Sequence, residues 1–397
     1  MKNITELIVN HITNSTEQRI TFAEYMDLVL YDSQFGYYGS GKVQIGSQGD
    51  FFTSASLGKD FGELLAKQFV QMWELLGNPH PFMLVEMGAG QGLIAADILD
   101  YLQNQHQNLF QSLEYIIIEQ APVLIQQQQK LLQPWREQGV NLSWRSWSEI
   151  PINSIVGCCF SNELVDAFPV HRVVINPGKL QEIYLTYSET KLVEIFGELS
   201  TPKLTEYFQL IGVDLTSEAY PDGYCTEVNL AITPWLERVS QCLQRGYLLT
   251  IDYGYNAQRY YSPQRRQGTL QCYYQHRHHD NPYINLGEQD LTAHVDFTAL
   301  ERQGERCGLR KVGCTHQALF LMSLGLGDRL QQLSNPVTAK LDLGQLLRRR
   351  DALHQLIDPS GLGKFMVLVQ GTEDCYQFPL QGLQSPGLGM GYKAPMS

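Results

Sequence analysis

The chain is predicted to fold as an α/β protein: a seven-stranded, mostly parallel sheet with helices on both faces, preceded by a helical N-terminal region and interrupted by inserted cap segments. Three observations predict it. From Pro81 onward, short apolar runs alternate with stretches of helical periodicity. The apolar run over 82–85 passes through Glu86, Met87, Gly88, Ala89, Gly90, Gln91 and Gly92 straight into a helical pattern over 93–102, which reads as strand, glycine turn and helix. A second apolar run, Tyr115-Ile116-Ile117-Ile118, ends in the carboxylate of Glu119 about one strand–helix–strand step later.

Residues 1–80 form the helical N-terminal region. Thr21 and Glu24 make a capping box ahead of a helix over 25–30, and 57–76 carries apolar residues at helical spacing. Between them, Gly49-Asp50-Phe51-Phe52-Thr53-Ser54 is a loop with two adjacent aromatics, which either packs onto the core or covers a cofactor. The main domain spans 81–371, with strands at 83–87, 114–119, 142–147, 156–161, 247–253, 309–315 and 364–370. Helices are expected near 92–104, 122–138, 234–245 and 297–307; the second opens on Pro122 and stops at Gly139, and the last opens on Asp296 and stops at Gly308. Three insertions stand outside the sheet: strands and turns over 170–225, a long loop rich in Tyr, His and Arg over 255–295, and a helical stretch over 317–358. Segments this long are expected to bind something, so they are placed as a cap beside the carboxyl ends of the strands. Gln126 to Gln129 read as helix surface, and 372–397 as a flexible tail.

At 397 residues and 43% apolar content the chain is globular, either one elaborated domain or two. A net charge of −12 argues against a broad nucleic-acid surface, because phosphate neutralisation needs Lys and Arg, and a basic peptide partner suits it better. Arg348-Arg349-Arg350 reads as a solvated helix face. No apolar run reaches the length of a membrane span, and the start of the chain lacks a basic-then-apolar leader, so a soluble cytoplasmic protein is expected. The eight cysteines show no C-x-x-C pair, which suggests neither zinc nor a disulfide framework.

The glycine turn offers free N–H groups at a helix start and a backbone without side chains, a seat for a nucleotide-like cofactor. A dinucleotide fingerprint would need a third glycine at position 93, which is Leu93. After the fourth strand come Ser161, Asn162, Glu163, Asp166 and Pro169, so that an amide and two carboxylates emerge beside the crevice. Carboxylates there suit a cationic acceptor and can hold a guanidinium in fixed geometry. At the next strand end, Asp252 and Tyr253 either line an acceptor pocket or cap a turn. Asp296 reads as a helix cap or a pocket wall, and His294 as the better general base. His276, His278, His279 and Asp280 lack a second ligand cluster, so no metal is expected.

These pieces resemble the MidA-like class I methyltransferases, whose mitochondrial members are complex I assembly factors that methylate arginine. The resemblance rests on 49–54, 85–92, 161–172, 251–254, 268–270 and 290–297, in the family's order over roughly residues 20 to 370. It implies a Rossmann-like class I methyltransferase sheet. Glu86, Gly88, Gly90, Gly92 and Glu119 would then bind S-adenosyl-L-methionine, with Glu119 on the ribose hydroxyls. Asn162, Glu163, Asp166 and His294 would serve catalysis, and Asp252, Tyr253 and Asp296 the acceptor pocket. The expected substrate is a protein with an accessible arginine, on a subunit of a respiratory NADH dehydrogenase-type complex. Two other readings stand beside it: methylation of another residue or a small molecule, since fold does not fix the acceptor, and an assembly chaperone that binds the cofactor without turnover. The chain departs from the family at Ala89 and Gln91, where members often carry proline and arginine, and at Asn281, where a second acid is common.

Overall fold

The computed structural model describes residues 3–41, 54–275, 277–334 and 342–385. Its centre is one seven-stranded sheet: β1 (Phe82–Met87), β2 (Leu113–Ile118), β3 (Asn141–Trp144), β4 (Ile155–Asn162), β5 (Leu243–Asp252), β6 (Arg310–His316) and β7 (Met366–Gly371). The spatial order is β6-β7-β5-β4-β1-β2-β3. Strands β1 to β5 pair in parallel, and β7 runs antiparallel between β5 and β6. The chain therefore moves outward from β1 to β3, returns across β1 to β4, and reverses direction there. In open α/β sheets such a reversal opens a crevice at the carboxyl ends of the strands.

Alternation along each strand supplies two cores. Leu84, Tyr115, Ile117, Cys158, Phe160 and Leu249 face helices Asp60–Leu75 and Leu93–Gln105. Val85, Ile116, Ile118, Cys159 and Leu248 face the opposite layer, built on Lys203–Ile211, Ile232–Cys242 and Phe297–Arg306. Burial on both faces explains why these strands read as continuous apolar runs. All seven expected strands are present, displaced by a few residues at their ends. The largest displacement is at β5: residues 243–246, expected to finish a helix, pair instead with 155–157 of β4.

The insertions hold more regular structure than expected. Residues 170–225 contribute to a five-stranded antiparallel side sheet around Lys179–Ser188 and also contain helix Lys203–Ile211. The segment 255–295 is not a long loop but carries helix Ala257–Tyr260 and the three-stranded sheet of Gln271–Tyr274, Arg277–His279 and Asp290–Thr292. Helices Ile4–Asn14 and Phe22–Tyr31 pack on these two sheets through Ile8, Phe22, Tyr25, Leu185, Cys272 and Leu291. The N-terminal region is thus divided, its last helix joining the main core and its first two joining the cap. Thr21 and Glu24 form the expected capping box. Residues 372–385, expected as part of the tail, are packed: Cys375 and Leu380 are buried, and Gly382 N donates to Gln68 Oε1 at 2.9 Å.

Candidate active site

One cavity of about 1200 Å³ opens at the reversal point, larger than the range of roughly 300–1,000 Å³ usual for a single small ligand. Its donor half is the turn after β1. Gly88, Gly90 and Gly92 all adopt positive φ, at +69°, +52° and +81°. A side chain is strained there, and a Cβ on Gly88 would lie 2.8 Å from Leu164 Cδ1. Gly92 is the N-cap of helix Leu93–Gln105. Across the crevice, Glu119 Oε1 accepts from Gln120 N at 2.9 Å and Ala121 N at 3.0 Å. Gln128 ties the two sides together: its Nε2 donates to Gly90 O at 2.7 Å and to Glu119 Oε2 at 3.3 Å, while its Oε1 accepts from Trp144 Nε1 at 2.8 Å. Expected as helix surface, Gln128 is fully buried. It follows the apolar stripe of Leu124 and Leu132 at four-residue spacing, a signal that could have placed it inside.

The acceptor half is built on the loop after β4. Glu163 takes φ +53°, an uncommon conformation for a residue with a side chain, and its N donates to Ile251 O at 2.9 Å. Its Oε1 accepts from Asn162 Nδ2 at 3.0 Å and Ser54 N at 3.2 Å. Burial, with the nearby charge of Asp166, pushes the Glu163 carboxyl up to about 8. Burial also raises Asp166, against a hydrogen-bonding contact with Tyr253. Two acceptor oxygens in this wall, Asn162 Oδ1 and Asp166 Oδ1, are buried without a hydrogen-bond partner. His294 lies between Tyr253 and Tyr255, with ring centroids at 5.1 and 5.2 Å, and its Nδ1 is also without a partner. Burial, then Arg265 and Lys364, lowers His294 to about 4.

Four expected site residues do not line the cavity: Glu86, Gly92, Asp252 and Asp296. Gly92 serves as the helix N-cap behind the turn. Glu86 shares the sheet face of Leu84, and its Oε2 accepts from Tyr115 OH at 2.6 Å. Asp252 is a backbone clamp: Oδ2 accepts from Leu164 N at 3.2 Å, Val165 N at 2.9 Å and Asp166 N at 3.3 Å, and Oδ1 from Tyr253 N at 2.9 Å. Asp296 caps its helix through Thr298 N at 2.9 Å and Ala299 N at 3.3 Å, and accepts from Tyr207 OH at 3.0 Å. Both aspartates serve backbone geometry, because unpaired N–H groups at strand and helix ends recruit carboxylates as readily as a ligand does.

Other wall residues were not foreseen. Tyr31, Tyr38, Gln271, Tyr273 and Asp290 all face the cavity. Tyr31 OH donates to Ala167 O at 2.8 Å, Tyr38 OH to Asp290 Oδ1 at 2.9 Å, and Ala293 N to Asp166 O at 2.9 Å. The loop after β4 is therefore held by the N-terminal helix, the 255–295 insertion and β5 together. His276 and residues 49–53 of the aromatic loop lie outside the described residues. Among the described residues, no three His, Cys, Asp or Glu side chains converge as a metal-holding group, and no helix is long and apolar enough to cross a membrane.

Comparison with known proteins agrees with this geometry. A Drosophila melanogaster protein named protein arginine methyltransferase NDUFAF7 homolog, mitochondrial, is 30% identical over 384 residues, covering 89% of this chain and 82% of that protein. The Homo sapiens protein arginine methyltransferase NDUFAF7, mitochondrial, is 27% identical over 366 residues, covering 87% and 78%. Their names place those relatives in mitochondria and give the cytoplasmic expectation no support. A crystal structure from Burkholderia thailandensis with S-adenosyl-homocysteine bound superposes with a TM-score of 0.83 at 28% identity, covering 96% of this chain and 94% of that one. A family described as S-adenosyl-L-methionine-dependent methyltransferases matches residues 64–315, and with strand order, glycine turn and near full-length relatives in agreement, the chain belongs to that family.

Proposed function

We propose that the chain methylates the guanidinium of an arginine in a protein acceptor, a subunit of a respiratory NADH dehydrogenase-type complex. The observation that carries this reading is the meeting, in one cavity, of the glycine turn with Asn162, Glu163 and Asp166, two of which present buried acceptor oxygens without partners. The names of the relatives support arginine as the acceptor.

The donor half fits the cofactor. A turn without side chains at Gly88, Gly90 and Gly92, and a Glu119 carboxylate fixed by two N–H groups, would hold its amino-acid part and its ribose. When bound, S-adenosylmethionine supplies an electrophilic methyl group on a sulfonium for in-line displacement. Everything else falls to the chain. Glu163 and Asp166 are costly to ionise while no cation is near, and a guanidinium pays that cost by supplying charge and N–H donors to the same oxygens. Their fixed positions orient one nitrogen of the guanidinium. The methylated nitrogen must also lose a proton. Glu163, near 8, matches that task at neutral pH better than His294, near 4, so Glu163 is assigned as proton acceptor and His294 as a neutral wall of the pocket.

The test is transfer of labelled methyl from S-adenosylmethionine to proteins of a cell extract, followed by mass spectrometry of the labelled band. Label on arginine supports the proposal. Label confined to lysine or to small molecules overturns it.

A further inference from the structure

The cavity wall outside the glycine turn carries an excess of acid. Asp27, Glu163, Asp166 and Asp290 line it. Among the described residues, Asp60, Glu114 and Glu194 elsewhere in the chain are paired with arginine, whereas no ion pair engages Asp27, Glu163 or Asp166. Asp27 is exposed, but Glu163 and Asp166 are desolvated, and carboxylates in that state ionise at low cost only with a cation supplied from elsewhere. An independent sign points the same way: Asp166 lines the cavity, is 5% exposed, and holds a buried Oδ1 without any hydrogen-bond partner.

An aromatic plate faces the acids. Tyr31 and Tyr38 stack with centroids 5.7 Å apart and an interplanar angle of 18°. Their hydroxyls are both anchored, one on Ala167 O and one on Asp290 Oδ1, which fixes the rings. Asp290 itself is 2% exposed and is placed by the pairing of Asp290–Thr292 with Gln271–Tyr274. The Tyr31 hydroxyl is raised by burial and then by Asp290, Asp166, Asp27 and Glu119, so all four carboxylates lie within electrostatic reach of one ring. A flat, delocalised cation satisfies both features at once, with its face on a phenol ring and its N–H fork on carboxylates. A lysine ammonium offers only a point charge.

We infer that the part of the cavity lined by Tyr31, Tyr38, Asp166 and Asp290 is the subsite that reads the acceptor's guanidinium, with Asp290 and the two phenols as specificity determinants. The choice of arginine rests on the function proposed above; the choice of a planar cation rests on the wall itself.

Calorimetric titration of the full chain saturated with S-adenosyl-homocysteine tests this, using a short glycine peptide with one central arginine and its citrulline and lysine counterparts. The arginine peptide is expected to bind about tenfold or more tighter than either. Asp290→Asn is expected to bring the arginine-to-citrulline ratio below about threefold, and Asp290→Glu to restore part of it. Tyr38→Phe, which releases the carboxylate without removing a ring, is expected to lower the ratio to an intermediate value. Affinity for S-adenosyl-homocysteine, measured on every variant, reports that the donor half and the fold are intact. Equal binding of arginine and citrulline by the wild type, or a ratio unchanged in Asp290→Asn, overturns the inference. Should the wild type discriminate as expected but transfer methyl to no arginine protein, the proposed function fails and the cation subsite stands.

Discussion

Replacing Glu163 by glutamine is expected to stabilise the ligand-free protein while abolishing methyl transfer. In the folded chain the carboxyl is pushed from its ordinary value of 4.5 up to about 8. Below pH 4.5 both folded and unfolded forms hold the proton, and the residue costs nothing. Between the two values the unfolded chain ionises and the folded one does not, so stability falls by about 1.4 kcal/mol per pH unit. Above pH 8 the loss levels off near 5 kcal/mol, and at pH 7 it is about 3 kcal/mol. Glu163 is half-buried and partly screened by solvent, which makes these upper figures. Glutamine retains the acceptor oxygen for Asn162 Nδ2 and Ser54 N, so the comparison isolates the charge. Urea unfolding of both proteins at pH 6 and pH 8 gives the answer: the advantage of Glu163→Gln should widen by about 2–3 kcal/mol across that interval. The same ionisation makes kcat/KM of the wild type rise with pH through about 8. Parallel stability curves, or a variant that turns over normally, would refute the reasoning.

Gly88→Ala should weaken S-adenosylmethionine binding about tenfold or more, because the new methyl meets Leu164 Cδ1 at 2.8 Å in a strained φ, at a cost of roughly 1–2 kcal/mol; calorimetric affinity within twofold of wild type would count against it. Gln128→Leu removes the partner shared by Gly90 O, Glu119 and Trp144 Nε1, each unsatisfied group costing about 1–3 kcal/mol, so both melting temperature and cofactor affinity should drop. Asp60, 5% exposed, accepts from Arg329 Nη1 and, at 2.7 Å, from Arg349 Nε and Nη2. Its replacement by alanine removes the partner of Arg349 and leaves Arg329 with Glu63 alone, and should destabilise by about 1–3 kcal/mol in denaturant melts, with cofactor affinity of the folded fraction unchanged.

The central strands of the sheet, β1, β2, β4, β5 and β7, were legible because they are buried on both faces and bounded by turn or cap residues, so their apolar runs stand out. The cap was less so. Arg277–His279 is a short, mostly exposed strand with no apolar residue, and its existence depends on pairing with Gln271–Tyr274. Helix Lys203–Ile211 was within reach, since Leu204, Tyr207, Phe208 and Ile211 mark one face and Gly212 ends it at φ +71°. In the site, the glycine turn and the 162–166 cluster could be read because each is contiguous and follows a strand. Asp290 and Tyr38 could not, as 252 residues separate them and only tertiary packing brings them together. Asp252 and Asp296 show the opposite failure: an acid at an element's end looks the same in sequence whether it faces a ligand or binds its own backbone.

The loop carrying Asn162, Glu163 and Asp166 is secured by Tyr31 from before the sheet, by Ala293 from an insertion within it, and by Asp252 from its neighbouring strand. The donor side is consequently a property of the sheet and its glycine turn, while the acceptor side takes its shape from pieces appended to that sheet. Such a division allows a lineage to exchange what it methylates by remodelling the periphery alone, leaving the methyl-donor machinery untouched.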